Sequence, residues 1–328
     1  MDDRSLAWLQ IGRAAVAESV KRAVLEIFPG PVDALKADLS VLRHGKPCTY
    51  RRQALDSFVN RSGLRRDIDW LSMPGRSVIG LTDPLFPRLL REIANPPAIL
   101  YCEGEASFLS RPAVAVVGSR NPTPVGSESA SRFAGAIGRH GATVVSGLAL
   151  GIDSAAHRGA LGTRGSTIAV CATGLDTIYP RCHRKLACDI TDAGLMLSEF
   201  PPGAGVRRHH FPQRNRLISG LSLGTVVVEA GLGSGSLITA GFAADQGREV
   251  FAVPGSVNSP LSRGPHQLIR DGACLVETPV HVLESLSMLE VKEKPEQAPN
   301  NPPAWCAEIL GFVDFAPTPI NQIAEHSG

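Results

Sequence analysis

A glycine, a serine and an arginine, Gly118-Ser119-Arg120, follow directly on the apolar run Val114–Val117. That run is rich in β-branched residues and reads as a strand buried on both faces. A helical pattern begins near Gly126 and stops at Gly141. Strand, glycine turn and helix together make an anion site: the turn's N–H groups point outward and the helix offers its positive end. Arg120 adds a permanent charge and a fork that fits phosphate oxygens. Comparable turns follow other apolar runs. They are Ser146-Gly147 through Asp153, with Asp153 expected as a helix N-cap, Thr173-Gly174, and Ser198-Glu199. Phe211 through Arg214, Asn215 and Arg216 opens a helix, and Gly231 through Ser234, Gly235 and Ser236 opens another. Open parallel sheets bind ligands beyond the carboxyl ends of their strands. Convergence of these turns on one edge would suit several phosphates.

Other chemistries find little support. Gly231-x-Gly233-x-Gly235 is not the dinucleotide fingerprint, and no acid occupies the ribose position after the first strand. Ser234 lies in GSGS, not in the GxSxG of a nucleophile elbow. Cys182 and Cys188 lack zinc spacing, and His209 and His210 are adjacent, which does not suit one metal. His157 lies in a helical stretch and is expected to pack or cap there. Glu199 and Glu229 are the available carboxylates, and each can simply hold loop amides. No metal, cofactor or catalytic residue is expected.

The elements that must place these turns form a regular series. Strands are expected at 113–117, 143–146, 167–171, 195–198, 225–228 and 249–253, with helices at 126–140, 152–162, 182–192, 212–219 and 236–246. Such alternation predicts an α/β fold, a doubly wound, mostly parallel sheet of extended Rossmann-like type. Before it, residues 76–105 carry two further strands, at Ser77–Leu81 and in AILYC, around a short proline-bounded helix. Residues 1–75 read as an all-helical domain, with Leu6, Leu9, Val16, Val20, Val24 and Ile27 at helical spacing. Pro74-Gly75 permits an independent unit. This domain carries Arg43, Lys46, Arg51, Arg52, Arg61, Arg65 and Arg66, a solvated face or a second nucleic-acid contact. The domain of 76–288 is followed by a proline-rich linker at 289–303. Residues 304–328 read as half of a helix-turn-helix, a partial winged helix, and the chain is expected to be cut short of its natural end.

Bulk properties agree. The net charge of +2 is near neutral, so any nucleic-acid binding must come from a local patch. Seven cysteines, an odd number without a CxxC pair, read as reduced thiols in a cytoplasmic protein. No apolar run approaches the roughly 20 residues that span a membrane.

Eight ordered motifs carry a resemblance: GSR (118–120), SGLALGID–AAH (146–157), TGLDTIYP (173–180), SEFPPG (198–203), FPQRNRLISGLS (211–222), EA–SGSLITA (229–240), GREVFAVPG (247–255) and LIRDGA (268–273). The chain resembles the DNA processing protein A (DprA/Smf) family over about 83–275. The helical N-terminus is similar to the sterile-alpha-motif-like domain of some members, and the C-terminal fragment to their winged helix. His266 stands in GPHQLI where the family often has Asn. The resemblance implies a non-enzymatic cytoplasmic homodimer of natural transformation (competence). Such a protein binds single-stranded DNA without sequence choice, protects it and helps load RecA recombinase. The DNA contacts it implies, together with the turns, are Gly118, Ser119, Arg120, Ser146, Gly147, Phe211, Arg214, Asn215, Arg216, Ser234, Gly235 and Ser236. Phe211 is the stacking candidate. Because Arg214 and Arg216 lie two apart on a helix, one of them is expected to face the strand.

Two rival readings differ in class. A nucleotide-processing hydrolase of the lysine-decarboxylase-like group shares this kind of fold, but its chemistry needs a glutamate after the late glycine turn, where this chain has GLGSGSLITA. A transcriptional regulator would use the terminal helix-turn-helix on duplex DNA.

Overall fold

The computed structural model describes residues 2–42 and 53–288. Arg43, Lys46, Arg51, Arg52, the linker at 289–303 and the segment at 304–328 lie outside them. A nine-stranded sheet runs through the molecule. Its strands are β1 (Arg76–Gly80), β2 (Ile99–Gly104), β3 (Ala113–Val117), β4 (Thr143–Ser146), β5 (Thr167–Val170), β6 (Leu195–Ser198), β7 (Gly224–Val227), β8 (Glu249–Ala252) and β9 (Cys274–Leu275). Their order is β1-β2-β6-β5-β4-β3-β7-β8-β9. Pairing is antiparallel between β1 and β2 and between β2 and β6, and parallel elsewhere. The winding direction reverses at β3, so the β3–β7 boundary is the switch point of a doubly wound sheet.

Strand β3 explains why the sheet sits in the middle. All five of its residues are buried. Val114 and Val116 join one apolar cluster, and Ala113, Ala115 and Val117 the other. Alternate residues of a strand face opposite sides, so β3 needs helices on both faces. These are α6 (Pro124–Arg139), α7 (Ile152–Ala160), α8 (Arg184–Ala193), α9 (His210–Gly220), α10 (Gly235–Asp245), α11 (Arg263–Arg270) and α12 (Pro279–Ser285), after the shorter α5 (Arg88–Arg91). The expected elements are all present, with ends moved by a residue or two. Strand β9 and helices α11 and α12 are additions to the expected series. Their apolar residues are too few and too closely spaced to show a period.

The N-terminal part contains α1 (Asp3–Arg13), α2 (Glu18–Ile27), α3 (Pro31–Lys36) and α4 (Arg61–Leu71). Two isolated antiparallel bridges, Ala14 to Val59 and Asp38 to Ala54, tie it internally. It is not detached from the sheet. Trp8 lies against Gly80 so closely that a Cβ on Gly80 would overlap the indole. Gly12 similarly admits Ile99 and the Tyr101 hydroxyl. Trp8, Leu9 and Ile11 share one buried cluster with Ile79, Leu100 and Tyr101. The Arg13 Nε donates to Asp67 at 2.7 Å, and the Tyr101 hydroxyl donates to the same carboxylate at 3.2 Å. Pro74-Gly75 looks like a linker in sequence, but glycines on either side of it let aromatic rings close the gap.

Candidate nucleic-acid interface

The turn after β3 and the loop after β7 meet at the switch point. Ser119 donates its N–H to the Glu229 carbonyl, and its hydroxyl accepts from Asn121 N–H at 3.1 Å. Gly118 must be glycine, because a Cβ would sit 2.7 Å from Ile152 and 2.9 Å from the Glu229 carbonyl. Gly151, at φ +77°, touches the backbone of Ser119 and Arg120. Three strand-end loops, those after β3, β4 and β7, therefore meet, and the exposed Arg120 lies at their junction.

Beside them lies a cavity of about 470 Å³. Gly118, Ser119, Arg120, Asp153, Phe211, Arg214, Asn215, Ser234, Gly235 and Ser236 all line it. The Arg120 guanidinium stands 5.4 Å from the centre of the Phe211 ring, within cation–π range. Among the described residues it has no ion pair and no side-chain hydrogen bond. Phe211 is half-buried and meets the exposed Tyr179 edge to face, with centroids 5.8 Å apart. Phe211 therefore sits at the rim and not in the core.

Arg214 lies deeper, with 4% of its surface exposed. Its guanidinium donates to the carbonyls of Gly147 and Val170. Burial lowers its pKa, against the favourable field of Asp153. Its Nε has no partner among the described residues. Asp153 accepts from the N–H groups of Gly147 and Ala149, at 3.1 and 3.4 Å. Burial raises the Asp153 carboxyl, and Arg214 opposes that rise. Asp153 is thus not the N-cap expected of it. Gly151 holds that position, and the carboxylate instead clamps the loop before α7.

The same loop is fixed from two other sides. Leu148, in the left-handed region at φ 57°, donates its N–H to His157 Nε2 at 3.2 Å. Its carbonyl meets His183 Nδ1 at 2.9 Å. With Nε2 accepting, the His157 ring is neutral and Nδ1 donates to Thr167 Oγ1 at 2.8 Å. Burial drives this histidine down to about 3, so it stays neutral and structural. A non-glycine residue in that region is held there only by surroundings this well determined.

The loop after β7 differs. A Cβ at Gly231, Gly233 or Gly235 would meet nothing within 4 Å. Packing does not require these glycines, so they leave backbone N–H groups bare to whatever enters. Ser234 caps α10, its hydroxyl accepting from Ser236 N–H and lying 2.6 Å from the Ser236 hydroxyl. Asn215 ties α9 to the start of α10 by donating to the Gly235 carbonyl.

Three expected residues do not line this cavity. Arg216 is turned about 200° from Arg214 around the helix. It pairs with Glu199 and donates to the Asn95 carbonyl, and it does not line the cavity. Ser146 is fully buried, its hydroxyl donating to the Val116 carbonyl at 2.7 Å, so it supports the edge without facing it. Gly147 turns its carbonyl inward to Arg214, and it lines a narrower cleft toward Tyr179. Glu229 accepts from both the N–H and the hydroxyl of Thr123, the N-cap of α6, and so holds loop amides as expected. No metal-binding cluster exists among the described residues.

Arg207 and Arg208 fall between the sequence motifs, and Tyr179 lies in the TGLDTIYP stretch without being offered there as a contact. Tyr179 continues the aromatic rim, and Arg207 and Arg208 are exposed just before α9. The signal available for them is the doubled arginine directly ahead of the aromatic and basic run that opens α9.

The family model of DNA recombination-mediator protein A matches residues 77–287, which takes in every cavity residue. The chain belongs to that family. It is 40% identical to protein Smf of Escherichia coli over 276 residues, 82% of this chain and 74% of that one. The X-ray structure of DNA processing protein A from Streptococcus pneumoniae matches with a TM-score of 0.74 and 36% identity, covering 87% of this chain and 98% of that chain. The Helicobacter pylori protein, described for its single-stranded DNA binding mode, matches with a TM-score of 0.59 and 31% identity, covering 65% and 95%. No helix among the described residues is long and apolar enough to cross a membrane.

Proposed function

We propose that this chain binds single-stranded DNA at the β3–β7 edge, without sequence choice and without chemistry on the strand. The observation that carries the reading is Arg120, unpaired among the described residues, exposed and set over Phe211 at the mouth of a glycine-lined cavity. A single strand offers phosphates and unstacked bases, and Arg120, Arg214 and Phe211 are a cation pair and a ring suited to both. Ser119, Ser234, Ser236 and the bare glycine backbone add neutral donors, which fix a phosphate without reading sequence. The Helicobacter pylori relative is described for binding the same class of ligand.

The family's description as a recombination mediator supports a place between incoming DNA and a recombinase. On that reading the chain protects the strand and hands it to RecA in natural transformation. It acts in the cytoplasm as a homodimer built on the sheet domain. Turnover is not part of the role: the cavity's one carboxylate among the described residues, Asp153, is spent on two amides and the field of Arg214. The test is affinity for single-stranded against double-stranded DNA of equal length, with nucleoside monophosphates in a parallel turnover assay. Preference for the single strand and no turnover is expected. Equal affinity, or turnover above a blank, overturns the reading.

A further inference from the structure

The arginine-bearing helix α4 lies against the loop that leads into the cavity. Arg13 bonds Asp67 of α4 and also donates to the Pro202 carbonyl at 2.7 Å. Arg66 of α4 presses on Gly203, where a Cβ would overlap its guanidinium. Gly203 itself is pinned by Asp176, which accepts its N–H at 2.9 and 2.8 Å. From Gly203 the chain exposes Arg207 and Arg208, then turns into α9 and reaches Phe211 in the cavity wall. One end of this loop is therefore fixed to α4, and the other forms the cavity.

The exposed face of α4 is basic. Arg61 and Arg65 are one turn apart, both exposed, and neither has an ion pair or side-chain hydrogen bond among the described residues. No acid lies in the first turn of α4, and its N-cap is Asn60. One exposed acid, Asp69, follows toward the other end. Solvated arginines are ordinary on a helix. These share a helix with Arg66, which touches a loop that is itself basic and feeds an anion site, and the Arg13–Asp67 pair fixes that helix to the loop.

We infer that α4 extends the DNA track: a single strand leaving the cavity crosses Arg207 and Arg208 and lays its backbone on Arg61 and Arg65. The inference rests on the proposed function and adds a second, length-dependent contact to it. A strand confined to the cavity does not reach α4, whereas a longer one does. OB folds that bind single strands occupy about 4–16 nucleotides each, and the two probe lengths bracket a site of that size.

The experiment measures binding of the full chain to oligothymidines of about 5 and about 20 nucleotides over a salt series. The variants are the double charge reversal Arg61→Glu with Arg65→Glu, and separately Arg120→Ala. Both α4 arginines are exposed, so the fold tolerates their replacement. The α4 variant is expected to lose about tenfold or more on the long strand and to match wild type on the short one. Its long-strand salt slope falls by about 0.7 for each phosphate no longer neutralised. Arg120→Ala weakens both lengths. Equal behaviour of wild type and the α4 variant on the long strand overturns the inference and leaves the cavity reading standing. Loss on both lengths in the α4 variant also overturns it, since α4 would then lie inside the primary site. No effect of Arg120→Ala at either length overturns the cavity reading instead.

Discussion

The guanidinium of Arg214 occupies the space that a Cβ on Gly147 would need. A helix and a strand-end loop are thereby fitted to one another around a buried charge. The guanidinium is held by two backbone carbonyls and the field of Asp153, and its Nε is left without a partner among the described residues. A phosphate entering the cavity meets a cation that is already ordered, so binding does not have to freeze a long side chain.

That fit makes Gly147→Ala a test of the deep half of the site. The new methyl displaces the guanidinium or shifts the loop, at a stability cost of about 1–3 kcal/mol. Single-strand affinity is expected to fall by at least tenfold while the chain still melts cooperatively. Wild-type affinity and melting temperature in this variant would mean that the cavity's shape does not depend on Arg214.

The N-terminal helices meet the sheet through an equally close fit. Trp8 on Gly80, Gly12 on Tyr101 and the Arg13–Asp67–Tyr101 cluster join them. Trp8→Ala removes a fully buried indole and is expected to cost about 3–5 kcal/mol. A chain beginning at Arg76 exposes the same surface of β1 and β2 and is expected to be insoluble or to melt without cooperativity. A soluble fragment with a sharp transition would show that the sheet stands alone.

How much of this is legible in the sequence depends on the range of the interaction. Strand β3 and its glycine turn are plain, because five consecutive apolar residues followed by Gly118 are a local signal. The split between Arg214 and Arg216 follows from helical periodicity, but the partner that claims each one does not. Glu199 and Gly147 lie 17 and 67 residues away from them, and no spacing rule pairs such positions. His157 reads correctly as a packing residue because it falls on the inner face of α7. The role of Asp153 is not legible, since a capping aspartate and one that accepts from loop amides share the same local pattern. The seam at Pro74-Gly75 misleads for a related reason: the close approach is made by Gly12 and Gly80, each of which alone looks like an ordinary glycine.

Glu199 supplies a pH prediction. Burial pushes its carboxyl up to about 7, with the Arg216 ion pair pulling the other way. Its unfolded value is about 4.3. The folded state therefore holds a proton that the unfolded state gives up, and that contribution to stability is complete below about pH 4.3. It is lost as pH rises through about 7. Wild type is expected to lose melting temperature between about pH 5 and pH 7.5, and Glu199→Gln to flatten that part of the curve. Parallel curves for the two proteins would show that the Arg216 pair, not burial, governs this carboxyl.

Arg120 gives the sharpest test of function, because its loss touches binding and little else. It is exposed, it follows the central strand, and its contact among the described residues is the Phe211 ring. Arg120→Ala removes a charge-assisted contact worth about 1.5–3 kcal/mol, roughly a ten- to hundredfold loss of single-strand affinity. The slope of log K against log salt should fall by about 0.7, the share of one phosphate on a single strand. Arg120→Lys restores the charge without the fork or the flat face that lies on Phe211, so it should recover only part of the affinity. The melting temperature should stay within a degree or two, since surface substitutions of this kind stay within about 0.5 kcal/mol. Titration of the three proteins with one oligothymidine at several salt concentrations reads all of these at once. Equal affinities with equal slopes would place the DNA away from the β3 turn.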